Sequence, residues 1–188
     1  MLFYFNFETF KYTFQMSDAF QLNRKTTRLQ NWNYSWKRLY FVTINTKFGE
    51  PYFGEIVNDQ VQLNDIGREV EKQWLMTPSY RPDMNLITDE FIVMPNHFHG
   101  IIGIGGNEIN SNSIPIGGIF GPQIKNLGSI IRGFKSSVTS WCKNHHTLFD
   151  WQSRYHDIII HDDIVLNKIR NYIRNNPKNW NKDRFYKS

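Results

Sequence analysis

The stretch Phe91-Ile92-Val93-Met94-Pro95-Asn96-His97-Phe98-His99-Gly100-Ile101-Ile102 constrains the fold more than any other part of the chain. It reads as a strand, a proline-marked turn and a second strand that opens with two histidines around one bulky apolar residue. Side chains alternate along a strand, so His97 and His99 share one face while Phe98 takes the other. Two neutral imidazoles side by side can grip one divalent cation if a third ligand arrives from elsewhere. Alone, His-x-His is a weak signal, because strand histidines usually satisfy a hydrogen bond. A histidine-triad nucleotide hydrolase would need a further alternating histidine, and Ile101 stands there.

The totals set the frame. A chain of 188 residues suits one domain with a real core. Hydrophobic content of 40% with 16% aromatics argues for a globule rather than disorder. The excess of Lys and Arg over Asp and Glu, +5, favours a polyanionic partner such as nucleic acid, though an ordinary solvated surface also accounts for it. A single cysteine, Cys142, excludes an internal disulfide framework, fits a reducing, cytoplasmic setting and is expected to be a buried packing residue. No uninterrupted apolar run reaches membrane-spanning length, so no membrane partner is expected.

Residues 1–23 read as an N-terminal extension, its first part dense in Phe and Tyr without the basic start or cleavage site of a secretory signal. Translation starting at Met16 is one explanation, which a native product beginning at Met1 refutes. The single domain is expected over 24–188. Arg24, Lys25 and Arg28 precede Trp32, Tyr34 and Trp36, a mixture of cations and flat rings suited to single-stranded nucleic acid or to a basic arm over the core. Leu39–Asn45 is a first strand, and a small hairpin turns at Asn58-Asp59. Asn64 or Asp65 caps a helix running to about Met76, with Ile66, Val70 and Trp74 at helical spacing.

After the histidine hairpin, 105–123 reads as a mobile Gly-, Asn- and Ser-rich loop. Lys125 to about Asn144 is a helix whose Lys125, Arg132 and Lys135 face either DNA or solvent. Trp151–Ile160, containing Arg154, is a last strand, and Asp162 or Asp163 caps a last helix ending at Pro177. Strand, helix, two strands, helix, strand and an extra helix make an α+β, ferredoxin-like split β-α-β sandwich with a four-stranded antiparallel sheet. The histidine strand is expected at its centre, with helices on one face.

The last helix carries Tyr172 and Asn176, four residues apart and therefore near one face. An asparagine carbonyl suits Mg²⁺ or Mn²⁺, and a phenol one turn away could attack a phosphate held there. The ordinary alternative is a core tyrosine and a C-terminal cap. Pro177 disfavours helical geometry at Asn176, which leaves the aim of that side chain open.

Taken together, His97-Phe98-His99 after Val93-Met94-Pro95-Asn96, the Trp151-Gln152 strand and Tyr172-Ile-Arg-Asn-Asn176-Pro177 resemble single-tyrosine HUH transposases. The nearest likeness is to the REP-associated tyrosine transposases, related to bacterial insertion-sequence enzymes, and it runs from about Arg24 to Tyr186. The resemblance implies that His97, His99 and Asn176 bind Mg²⁺ or Mn²⁺ and that Tyr172 is the nucleophile. It further implies cleavage and rejoining of single-stranded, hairpin-flanked DNA through a 5′-phosphotyrosine, by a monomer or homodimer. Arg24, Lys25, Arg28, Lys125, Arg132, Lys135 and Arg154 are the expected DNA contacts, and His156 and Asp157 are candidate bases. The alternatives are a hairpin-DNA binder on the same fold that does not cut, and a replication-initiator or relaxase-type nickase.

Overall fold

The computed structural model describes residues 29, 32–111, 125–183, 185 and 186. The elements in order are β1 (Arg38–Asn45), β2 (Gly54–Val57), β3 (Gln60–Leu63), α1 (Asp65–Met76), β4 (Leu86–Met94), β5 (His97–Ile104), α2 (Leu127–Asn144), β6 (His156–Ile160) and α3 (Asp163–Asn175). A 3₁₀ segment, Pro177–Lys182, follows directly. The main sheet runs β4-β5-β1-β6 and every neighbouring pair is antiparallel, the expected ferredoxin-like order with the histidine strand inside.

Caps set the helix starts. Asn64 Oδ1 accepts from Gly67 N at the start of α1, Asn126 and Ser129 form a reciprocal capping box on α2, and Asp162 accepts from Val165 N on α3. The small hairpin turns where expected, with Asn58 and Asp59 both at positive φ as a two-residue type I′-like turn requires.

Two of the helices lie on one face of the sheet. Tyr40, Val42, Ile44, Phe98, Ile102 and Ile104 from β1 and β5 meet Val70 and Trp74 of α1 and Ile130, Phe134 and Val138 of α2. Trp74, Phe98 and Phe134 form a mutual aromatic contact with ring centroids 4.6–5.4 Å apart. Gly100 makes room for it, since a Cβ there would stand 2.7 Å from the Trp74 ring. Cys142 is buried in the same core, and burial pushes its thiol up to about 11, as fits a packing residue.

The opposite face belongs to α3, where Leu166, Ile169 and Ile173 pack on Phe41, Ile101 and Ile160. The extra helix therefore does not join the other two.

Two expectations need correction. The last strand is shorter than 151–160: only His156–Ile160 is continuous, with Trp151 forming an isolated bridge to Thr46. The segment from Trp151 to His156 faces the shorter segment from Thr43 to Thr46, so its extra residues leave the ladder. Asn176 is helical despite Pro177, at φ −59° and ψ −44°. Pro177 opens the 3₁₀ segment, where a missing N–H is tolerated, and Asn176 still donates to Ile173 O.

The 1–23 extension, Met16, Arg24, Lys25 and Arg28 lie outside the described residues. So does 112–123 of the expected loop, while Glu108–Ser111 before it forms one helical turn. Among the described residues, no helix is long and apolar enough to cross a membrane.

Candidate active site

Strand alternation puts His97, His99 and Ile101 under α3, and Phe98 in the core beneath. Both histidines are buried, with ring centroids 4.5 Å apart. Hydrogen bonds orient each ring. Asn96 Nδ2 donates to the carbonyls of Gly49 and Phe185, which fixes its amide so that Oδ1 can only accept. His97 Nδ1, 2.9 Å from that oxygen, must therefore carry the proton, leaving the lone pair on Nε2. His99 Nδ1 lies 2.9 Å from Thr43 Oγ1, directly across the β1–β5 pair.

Tyr172 comes from the middle of α3. Its hydroxyl is 3.2 Å from His99 Nε2, and its ring stands edge-on to Phe41 at 6.1 Å. Side chains on the two flanks of the buried α3 seam have different tasks. Tyr172 and Asn176 lie on one flank; Arg170 and Arg174 lie on the other and reach β4. Arg170 binds Asp89 through two parallel hydrogen bonds, and Arg174 binds Glu90. The Arg170 guanidinium holds the Asp89 carboxyl below the usual carboxylate range. Consecutive carboxylates reach the same helix because β4 carries one extra residue between its pairings Thr88–Ile102 and Phe91–Gly100.

Asn176, only 3% exposed, donates from Nδ2 to Asp183 Oδ2 at 3.1 Å, while its Oδ1 is buried with no hydrogen-bond partner among the described residues. Asp183 also accepts from Phe185 N. One nitrogen of each histidine and a carboxylate oxygen of Asp183 all lie within 4.8 Å of one another. Ligands of one small divalent cation at about 2.1 Å stand at most about 4.2 Å apart, so closure by roughly half an ångström suffices. The donor set, two imidazoles, a carboxylate and an orphaned amide oxygen, fits such a cation.

His97, His99 and Tyr172 thus converge within one chain, with Asn176 joined to them through Asp183. Sequence reasoning missed Asp183, Thr43 and the Asn96 brace. Of the candidate bases, His156 pairs with Thr43 and shares the site's face, whereas Asp157 alternates to the opposite face. There, burial and the neighbouring Asp157 carboxylate push the Tyr34 phenol up.

Among the expected DNA contacts, Arg132 and Arg154 are exposed. Lys125 pairs with Asp83 at 2.8 Å. Lys135 donates to Gln152 O and lies 5.9 Å from the Trp151 ring centroid, and burial lowers its pKa. Arg132 and Lys135 are carried by α2, on the far side of the sheet from the histidines.

No family model matches the sequence. An uncharacterised protein of Haemophilus influenzae is 39% identical over 171 residues, covering 87% of this chain and 93% of that protein. The solved structure of a REP-associated tyrosine transposase bound to a REP hairpin superposes with a TM-score of 0.53 at 16% identity. It covers 81% of this chain and 74% of that one, a likeness of fold.

Proposed function

The chain belongs to one family with the Haemophilus influenzae protein and has the fold of a REP-associated tyrosine transposase, and from that premise we propose that it cleaves and rejoins single-stranded, hairpin-flanked DNA with Tyr172 as nucleophile. The observation that carries this reading is the phenol hydroxyl 3.2 Å from the imidazole of His99, beside a group of His97, His99 and Asp183 able to hold a metal.

In the proposed reaction, Tyr172 Oη forms a bond to the scissile phosphorus and the bond from phosphorus to the 3′ oxygen breaks. The DNA 5′ end is left on the tyrosine, the upstream strand leaves as a 3′ hydroxyl, and the phenol proton passes to a base. The 3′ hydroxyl can reverse the step at a new junction, so rejoining needs no outside energy. His97, His99, Asp183 and Asn176 would hold Mg²⁺ or Mn²⁺, which supplies charge neutralisation at the phosphate. Half-burial of Tyr172 keeps its ring fixed against Phe41 while its hydroxyl reaches the site.

The test is denaturing electrophoresis of the protein with Mn²⁺ and hairpin oligonucleotides, read for a shifted covalent band. Tyr172→Phe is expected to lose the band, and His97→Ala to lose its dependence on the metal. A band persisting in Tyr172→Phe removes the nucleophile from this reading.

A further inference from the structure

Asn45 ends β1 directly opposite His97, as Thr43 stands opposite His99, so these side chains leave the sheet together on the α3 face. Residues paired in this way keep their Cβ atoms about 4.5–5.5 Å apart, which puts the Asn45 amide beside the His97 ring. Asn45 is half-buried as a residue, but its Oδ1 is fully buried with no hydrogen-bond partner among the described residues. A buried acceptor left unpaired costs stability, and a leucine of similar size would avoid that cost.

The backbone around Asn45 is held from both sides. Gln152 N donates to Asn45 O at 2.9 Å, and Thr46 N donates to Asn96 O at 3.0 Å. The continuous part of β6 begins only at His156, opposite Thr43, so no strand residue flanks Asn45 on that side. A groove of about 700 Å³ opens there instead, with Asn45 and Phe185 among its lining residues. The Phe185 ring lies 4.7 Å from that of His97, so the groove reaches the histidines.

We propose that Asn45 Oδ1 accepts a hydrogen bond from a water on the cation and so positions that water. This rests on the function proposed above and deepens its metal centre. Mg²⁺ and Mn²⁺ favour octahedral shells and keep water wherever protein ligands leave places. His97, His99, Asp183 and Asn176 do not fill an octahedron. Water on a divalent ion is a strong donor and suits a buried amide oxygen, whereas a phosphate oxygen carries no proton to give it. The place Asn45 serves is therefore distinct from the one the scissile phosphate takes. Asn45 acts through the water, as a positioning residue for the shell.

The experiment titrates the full metal-free chain with Mn²⁺ by calorimetry, without DNA, for the wild type, Asn45→Leu and Asn45→Asp. Asn45→Leu keeps the size and removes the acceptor. It is expected to bind Mn²⁺ about tenfold more weakly, the usual cost of losing a partner behind the metal's own ligands. Its metal-free thermal midpoint should not fall, which separates this role from a merely structural one. Asn45→Asp strengthens the acceptor and is expected to bind Mn²⁺ a few-fold more tightly than the wild type. The number of waters on Mn²⁺, read by water-proton relaxation, should be the same in the wild type and Asn45→Leu. Wild-type affinity in Asn45→Leu, or no gain in Asn45→Asp, overturns the proposal. So does one additional water in Asn45→Leu, which would make the amide a direct ligand. Covalent attachment to hairpin oligonucleotides is scored separately. An adduct from a wild type whose Mn²⁺ affinity is indifferent to Asn45 defeats this inference and keeps the cleavage reading, and Asn45-dependent Mn²⁺ binding without an adduct does the reverse.

Discussion

The two faces of the central sheet are built for opposite ends. Under α1 and α2, β1 and β5 present Tyr40, Val42, Phe98 and Ile102 to a continuous apolar core. Under α3, the same strands bury Thr43, His97 and His99 next to only a short apolar seam. Burying polar groups sacrifices hydrophobic stabilisation, and each must find a partner. Stability is therefore concentrated on one face, and the other is free to carry strained or competing polar contacts. One residue of alternation separates the two, since Phe98 lies between the histidines.

That contrast breaks most readily at Phe98. Phe98→Ala removes the ring shared by Trp74 and Phe134 and is expected to cost about 3–5 kcal/mol, measured by urea unfolding. Tyr172→Phe, on the other face, gives up the partly exposed hydrogen bond to His99 and should cost about 1 kcal/mol or less. Comparable losses from the two substitutions would show that the α3 face bears the fold as much as the other.

A smaller effect tests how α3 is held. Arg170–Asp89 and Arg174–Glu90 lie on the helix flank away from Tyr172, so they set its roll about its own axis. The phenol oxygen lies about 9 Å from that axis, and a roll of about 10° shifts it by about 1.5 Å. The double variant Asp89→Asn, Glu90→Gln is expected to slow covalent attachment about tenfold while DNA affinity holds. Equal losses of rate and affinity would mean a general disturbance instead. The pH dependence has a definite sign. Because Arg170 depresses the folded-state pKa of Asp89, the pair stabilises fully above the ordinary carboxylate range and weakens as pH falls through the depressed value. From about pH 5 upward the pair should contribute a constant amount.

This clamp also marks the limit of what the sequence discloses. Periodicity and caps make the strands, α1, α2 and the two-faced histidine strand legible, because each rests on residues a few positions apart, and the sheet order follows from the succession of those elements. Tyr172 and Asn176 are legible for the same reason. Asp183 is not: it reaches the site only because Pro177 starts a 3₁₀ segment that turns the chain back. Asp89 and Glu90 left a faint trace as two consecutive carboxylates in an apolar strand, which is the mark of a bulge, but their partners on α3 follow only from the packing. Trp151 misled in the other direction, since a β-rich run through 151–160 does not reveal that its pairing lapses after one bridge.

The smallest effect concerns a single lone pair. His99 Nε2 lies 3.2 Å from the Tyr172 hydroxyl and is also the nitrogen left for a cation when Nδ1 faces Thr43. It cannot serve both at once, so nucleophile and cation compete in the resting site. Removing the hydroxyl abolishes the competitor without touching any ligand, and Tyr172→Phe should bind Mn²⁺ about threefold more tightly by calorimetric titration, the worth of one modest hydrogen bond. Asp183→Ala gives the opposite sign, because it removes a ligand from the group formed with His97 and His99. If Tyr172→Phe left Mn²⁺ affinity unchanged while Asp183→Ala lowered it, the cation would be held by the other groups and the phenol would keep its imidazole. The tyrosine would then be positioned for attack by a hydrogen bond that persists with the metal in place, and His99 would belong to the nucleophile's half of the site.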